Sequence, residues 1–154
     1  MQKIYTRIAE NENYRFFGNV EFGRDIYRAD LMEIYDAVIY SVGSPTDRKL
    51  GIGGENLSGS HSATEFVAWY NGHPDFCDYK FDLSTRNAFV IGIGNVALDV
   101  ARILAKTPQE LEKTDIADYA LEALRTSQLE DIWLLGRRGP LQAAFSPAEL
   151  REFL

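Results

Sequence analysis

Cysteine is nearly absent: Cys77 stands alone among 154 residues. One thiol excludes an internal disulfide and predicts a reducing, cytoplasmic setting. Excess positive charge is absent too. Asp and Glu number 23 against 16 Lys and Arg, for a net charge of −7. That balance argues against a nucleic-acid partner or general attraction to anionic surfaces, so any affinity for an anion has to be local. No apolar run approaches the roughly 18 residues that a membrane span needs. The opening MQKIYTRIAENENY lacks the apolar stretch of a secretory signal. No repeat or low-complexity tract occurs. Histidine is limited to His61 and His73. HPDFCD (73–78) lacks paired ligand spacing, so no metal site is expected. In GSHSA a histidine occupies the place of an elbow serine, and GIGGENLSG lacks the GK[ST] end of a phosphate loop.

What is present reads as one domain of ordinary composition, 45% hydrophobic with 12 glycines. Residues 2–11 predict a short helix, with Ile4, Ile8 and Ala9 on one face. YRFFGNV (14–20) predicts a short strand and DAVIYSVG (36–43) a buried one, with a helical turn capped by Asp30 between them. Residues 43–60 are glycine-rich and charged, which predicts a loop and a domain boundary. ATEFVAWY predicts a helix stopped by NGHPD. RNAFVIGIG (86–94) predicts a strand, NVALDVARILA (95–105) a helix, IADYALEALR a helix begun at Thr114 or Asp115, and DIWLLG (131–136) a second buried strand. Pro147 opens a last helix. This order predicts an α/β fold with a Rossmann-like parallel sheet.

The chemistry concentrates in FVIGIGNVALD. Gly92 and Gly94 follow a strand directly, and Ala97 takes the third small position of G-x-G-x-x-[G/A]. Gly92 permits the tight turn, Gly94 lets a pyrophosphate approach the backbone, and Ala97 lets the helix pack close to the strand. The N–H groups of Ile93, Gly94, Asn95 and Val96 and the positive helix end then favour an anion. Asp99, in the first turn of the helix, reads either as a carboxylate favoured by that end or as a group near a nicotinamide.

In NAD enzymes a carboxylate at the end of the next strand holds the ribose 2′-hydroxyl. Glu110, Glu112 and Asp115 have about the right spacing but sit in a polar stretch. The next strand ends instead at Gly136, followed by Arg137 and Arg138. Two guanidinium forks suit a 2′-phosphate. At roughly 1.5–3 kcal/mol per charged hydrogen bond, the pair would favour NADPH over NADH by about 10²–10⁴-fold.

Several stretches together resemble the adrenodoxin-reductase-like ferredoxin–NADP reductases: FFGNVEFGRDI, YDAVIYSVGS, GENLSGSHSATEFVAWYNGHPD, VIGIGNVALDVARIL, TDIADYALEALR and LLGRRGPLQAAFSPAELRE. They run from about residue 13 to the end. The resemblance implies an FAD-dependent two-domain enzyme in which NADPH reduces the flavin and the flavin passes electrons to a ferredoxin-type iron–sulfur protein. It implies that residues 1–45 are the remnant of an FAD-domain segment and that 46–154 are the NADP-binding domain. Ile93, Gly94, Asn95 and Val96 match the family's pyrophosphate turn, and Arg137 and Arg138 its 2′-phosphate pair. Glu149 matches a glutamate near the nicotinamide, which makes it the candidate catalytic residue; its own position in the chain reads equally as a helix N-terminal carboxylate. Gly53 stands where the family has proline, and Ile93 where it has a polar residue.

The chain carries no strand–GxGxxG–helix for FAD. It is therefore expected to be an incomplete fragment that holds NADP(H) but does not bind FAD tightly. The competing expectations are a non-catalytic nucleotide-binding or redox-sensing module, and a flavoprotein like the small subunit of glutamate synthase, against which GRRGPLQAAF argues. The strand 36–43, if unpaired, is expected to drive homo-association.

Overall fold

The computed structural model describes residues 2–44 and 46–153. The chain divides into two units, Met1–Gly43 and Ser44–Leu154.

The first unit holds α1 (Gln2–Ala9) and α2 (Arg28–Ile34) joined by irregular chain. Asp30 acts at the third position of α2, where its carboxylate accepts from the Tyr27 N–H at 2.8 Å. It caps the helix from inside rather than preceding it, as the sequence suggests. Neither expected strand forms. Residues 14–20 and 36–43 pair with no strand among the described residues; the one isolated bridge of this unit, Phe22 with Ile26, lies between the two runs. The run 36–43 is also exposed, Ile39 by 90% and Val42 by 77%. An apolar β-rich run becomes a buried strand only where another strand supplies its ladder, and no described residue does so here.

The second unit holds the core. Ser62 caps α3 (Ala63–Tyr70) by accepting from the Glu65 N–H at 3.2 Å. After a 3-10 turn at Pro74–Phe76 come β1 (Asn87–Ile91), α4 (Asn95–Ala105), α5 (Pro108–Leu111), α6 (Asp118–Arg125), β2 (Asp131–Leu135) and α7 (Pro147–Phe153). The polar stretch before α6 thus holds a helical turn of its own, α5, capped by Thr107. It delays the start of α6 from the expected Thr114 or Asp115 to Asp118.

β1 and β2 pair in parallel, Asn87 with Asp131 through to Ile91 with Leu135. Val90 faces Phe66, Trp69, Tyr70, Ala97, Val100, Ala101 and Ala120 from α3, α4 and α6, with Ile132 and Leu134 packed against the same cluster. The other face differs from expectation. Phe89, Ile91, Trp133 and Leu135 are 61, 60, 51 and 43% exposed, so the strands are buried on one side only. A parallel strand is buried twice over only when helices lie on both faces, and the helices that meet the core all lie on one.

Candidate functional site

The site begins where β1 ends. Gly92 has φ +138°, a backbone region that side chains rarely adopt, and a Cβ there would lie 3.4 Å from the Ala97 Cβ. The first glycine and the third small residue therefore answer to each other. Gly92 also continues the sheet, its N–H donating to the Leu135 carbonyl at 2.8 Å.

Gly94 is a different case. Its φ of −106° and ψ of 176° are open to any residue. A Cβ built on it meets nothing within 4 Å. Neither backbone strain nor internal packing accounts for glycine at this point. It sits at the N-cap of α4 with no side-chain cap hydrogen bond; Gly is an accepted N-cap residue, level with Thr, but Asn, Asp and Ser rank ahead of it when capping alone decides. The N–H groups of Ile93 to Val96 have no acceptor among the described residues. The opening turn of α4 is thus a bare, cationic backbone surface with a clear approach.

Arg137 and Arg138 follow β2 on the same edge of the sheet. Both are exposed, and neither has a hydrogen bond or ion pair with any described residue. Most other arginines of the second unit are matched: Arg86 with Glu130, Arg102 with Asp99, Arg125 with Glu112. Gly136, just before the pair, is set by contact. A Cβ there would lie 2.6 Å from Ile93 Cγ2, so the side chain of the glycine turn rests on the backbone that launches the arginines.

Asp99 is the fifth residue of α4 and not, as expected, in its first turn, which carries no acidic residue. It pairs with Arg102 one turn along α4. Burial raises the Tyr70 hydroxyl above the usual phenol range, and the nearby charge of Asp99 adds to the effect. Glu149 lies half-buried in the first turn of α7, its N–H donating to Ser146 Oγ at 3.3 Å.

Two contacts escaped sequence reasoning. Asn95 Oδ1 accepts from the Ser146 N–H at 2.9 Å, and the Ile93 carbonyl from the Ala144 N–H at 2.8 Å. Ser-Pro at 146–147 is the signature of a capped helix start. Nothing in the sequence pairs it with Asn95, 51 residues away. His73 Nδ1 accepts from the Asp75 N–H and Cys77 donates to the Pro74 carbonyl, so HPDFCD folds as a local turn.

No family model matches the chain. Known proteins do. NADPH-ferredoxin reductase FprA of Mycobacterium tuberculosis is 54% identical over 152 residues, covering 99% of this chain and 33% of the relative. Mitochondrial NADPH:adrenodoxin oxidoreductase of Arabidopsis thaliana is 50% identical over 151 residues, covering 97% of this chain and 31% of the relative. The solved structure of M. tuberculosis FprA in complex with NADPH superposes with a TM-score of 0.89 at 54% identity, over 98% of this chain and 33% of that one. The chain therefore spans about a third of the length of these relatives. The homology read from the sequence is shown, and so is the α/β fold shared with that part of FprA.

Proposed function

We propose that this chain is the NADPH-binding part of a flavin-dependent reductase that delivers electrons to a ferredoxin-type iron–sulfur protein. The observation that carries the reading is Gly94, a glycine without internal cause, set among unpaired N–H groups beside two unpartnered arginines. Such a surface fits a pyrophosphate at the turn and a 2′-phosphate at the arginines. The likeness to NADPH-dependent relatives supports the same assignment.

In this reading the backbone of Gly92 to Val96 holds the pyrophosphate. Arg137 and Arg138 hold the 2′-phosphate, and Glu149 acts at the nicotinamide end. Bound NADPH would supply the hydride. The chain's own task is to fix the cofactor's two ends relative to α4. Residues 1–45 are assigned to the FAD-binding part of a longer protein, with 46–154 as the NADP-binding domain. Among the described residues the one strand–glycine turn–helix unit is committed to NADP, which supports weak flavin binding by this chain. The exposed run 36–43 supports self-association of the chain when isolated, and the exposed thiol of Cys77 supports a cytoplasmic setting. Among the described residues no helix is long and apolar enough to cross a membrane.

Titrating NADP⁺ and NAD⁺ into the wild-type chain and into Arg137→Ala/Arg138→Ala tests the reading. The wild type should prefer NADP⁺ by about 10²–10⁴-fold, and the double variant should lose that preference. Equal affinity of the wild type for both nucleotides would sink it.

A further inference from the structure

Residues 136–149 leave the glycine turn and return to it. At the departing end, Gly92 donates to the Leu135 carbonyl and Ile93 packs on Gly136. At the returning end, Ala144 donates to the Ile93 carbonyl and Ser146 to Asn95 Oδ1. Ser146 then accepts from the Glu149 N–H. Among the described residues, the only side-chain hydrogen bond in this circuit between α4 and the start of α7 is the one that Asn95 Oδ1 accepts from the Ser146 N–H.

We propose that the Asn95 side chain is a positioning residue: through Ser146 it fixes the first turn of α7, and therefore Glu149, against the pyrophosphate turn. The inference rests on the NADP reading above and adds a task for a side chain whose backbone alone that reading used. The mechanics are short. Asn95 follows Gly94 directly, so its side chain springs from the turn assigned to the pyrophosphate while its amide oxygen is turned to the Ser146 N–H. Its acceptor holds the Ser146 backbone, and the Ser146 hydroxyl holds the Glu149 backbone. A shift of either link moves Glu149 relative to the turn while leaving the arginine pair anchored at its own end. The two side chains thus divide the work: that of Ile93 sets the 2′-phosphate end through Gly136, and that of Asn95 the nicotinamide end through Ser146, beside the backbone link from Ala144 to the Ile93 carbonyl.

The test uses the whole chain and two probes, NADP⁺ and 2′,5′-ADP, the latter lacking the nicotinamide half. Amide hydrogen exchange at Ser146 reads the tether directly. In Asn95→Ala, Ser146 exchange should rise and NADP⁺ affinity should fall by about 3–10-fold, the size of one lost hydrogen bond. The loss for 2′,5′-ADP should be clearly smaller. Adding Glu149→Ala to Asn95→Ala should cost no more than the worse single change, because both act through one group. Ser146→Ala keeps the N–H that Asn95 accepts and removes only the hydroxyl. It should reproduce the NADP⁺ loss with Ser146 exchange unchanged, which guards against a folding defect in the first variant. Unchanged Ser146 exchange in Asn95→Ala overturns the tether. Equal losses for the two probes, or additive losses with Glu149→Ala, overturn the positioning role. A wild-type chain that binds neither probe overturns the NADP reading and the role of Asn95 with it, and is distinguished by the tether still registering in exchange.

Discussion

Residues 1–43 and 44–154 contain similar kinds of side chain and use them differently. The first unit has tyrosines, phenylalanines and isoleucines in number, yet Phe16 is 79% exposed, Phe17 70% and Ile34 70%. The buried apolar residues among those described, from Phe66 to Leu124, all belong to the second. Composition alone does not build a core. The second unit places apolar residues at helical spacing on α3, α4 and α6 and at alternate positions on two paired strands, so that they converge. The first unit has a helix at each end of irregular chain and no paired strand among the described residues. Among its described residues the apolar groups form no buried cluster; Phe22 and Tyr40 meet edge-on at 5.4 Å but stay exposed.

The comparison predicts unequal costs for equal truncations. Trp69 is 3% exposed, packed against the tilted rings of Phe66, Phe81 and Tyr119, with its carbonyl accepting from the Tyr119 hydroxyl at 2.8 Å. Trp69→Ala should cost about 3–5 kcal/mol of unfolding free energy. Ile39→Ala, at a site 90% exposed, should cost less than about 0.5 kcal/mol. Urea unfolding of both variants measures the difference. A substantial loss from Ile39→Ala would show that residues 36–43 are packed in solution, and would break the contrast.

The same contrast explains what could be read in advance. β1, α3, α4 and β2 were legible because each carries its own signal: alternation in AFVI and IWLL, helical spacing with an N-cap in SATEFVAWY, and glycines at the strand–helix turn. The glycine turn and the arginine pair lie next to such elements and were placed with them. DAVIYSVG carries an equally strong strand signal and forms none, because strand pairing is a property of two segments and no described residue pairs with this one. The open face of Trp133 and Leu135 departs from the burial expected of DIWLLG for a related reason, since burial on the second face depends on a layer the strand itself does not encode. Asn95–Ser146 and Ile93–Gly136 are contacts between residues far apart in sequence, and no local period reports them.

A smaller effect tests how tightly the second unit's order reaches its site. In Gly136→Ala the new Cβ would overlap Ile93 Cγ2, which is attached to a stiff β-branched centre and not to a flexible tip. A cost of about 1–3 kcal/mol is expected. Ile93→Ala removes the obstructing atoms, so the double variant should be more stable than the sum of the two single changes predicts. Strict additivity in thermal unfolding would show that the turn and the arginine loop yield independently, and that order near the site resembles that of the first unit.

The smallest effect concerns where the ordered unit starts. None of the described residues in 46–62 belongs to the buried core, although His61 meets Phe81 edge-on at its margin, and hydrogen bonds tie the segment to α3. Asp47 accepts from the Ser62 hydroxyl, from the Thr64 hydroxyl at 2.8 Å and from the Thr64 N–H at 3.2 Å. The Ser62 hydroxyl, followed by that of Thr64, lowers the Asp47 carboxyl below its usual range. A carboxyl lowered on folding stabilises the fold while it is ionised, above its unfolded value of about 4, and loses that contribution as pH falls through the lower folded value. Acidification below about pH 4 should therefore raise amide exchange at Ser62 and Thr64 before the core responds, because no charged side chain is buried among the core residues. Asp47→Asn should remove most of this pH dependence, at a cost of about 0.5–1.5 kcal/mol near neutral pH. If exchange at Ser62 and Thr64 instead follows the core at every pH, the boundary of the cooperative unit lies before Asp47, and the loop is held by packing rather than by its carboxylate.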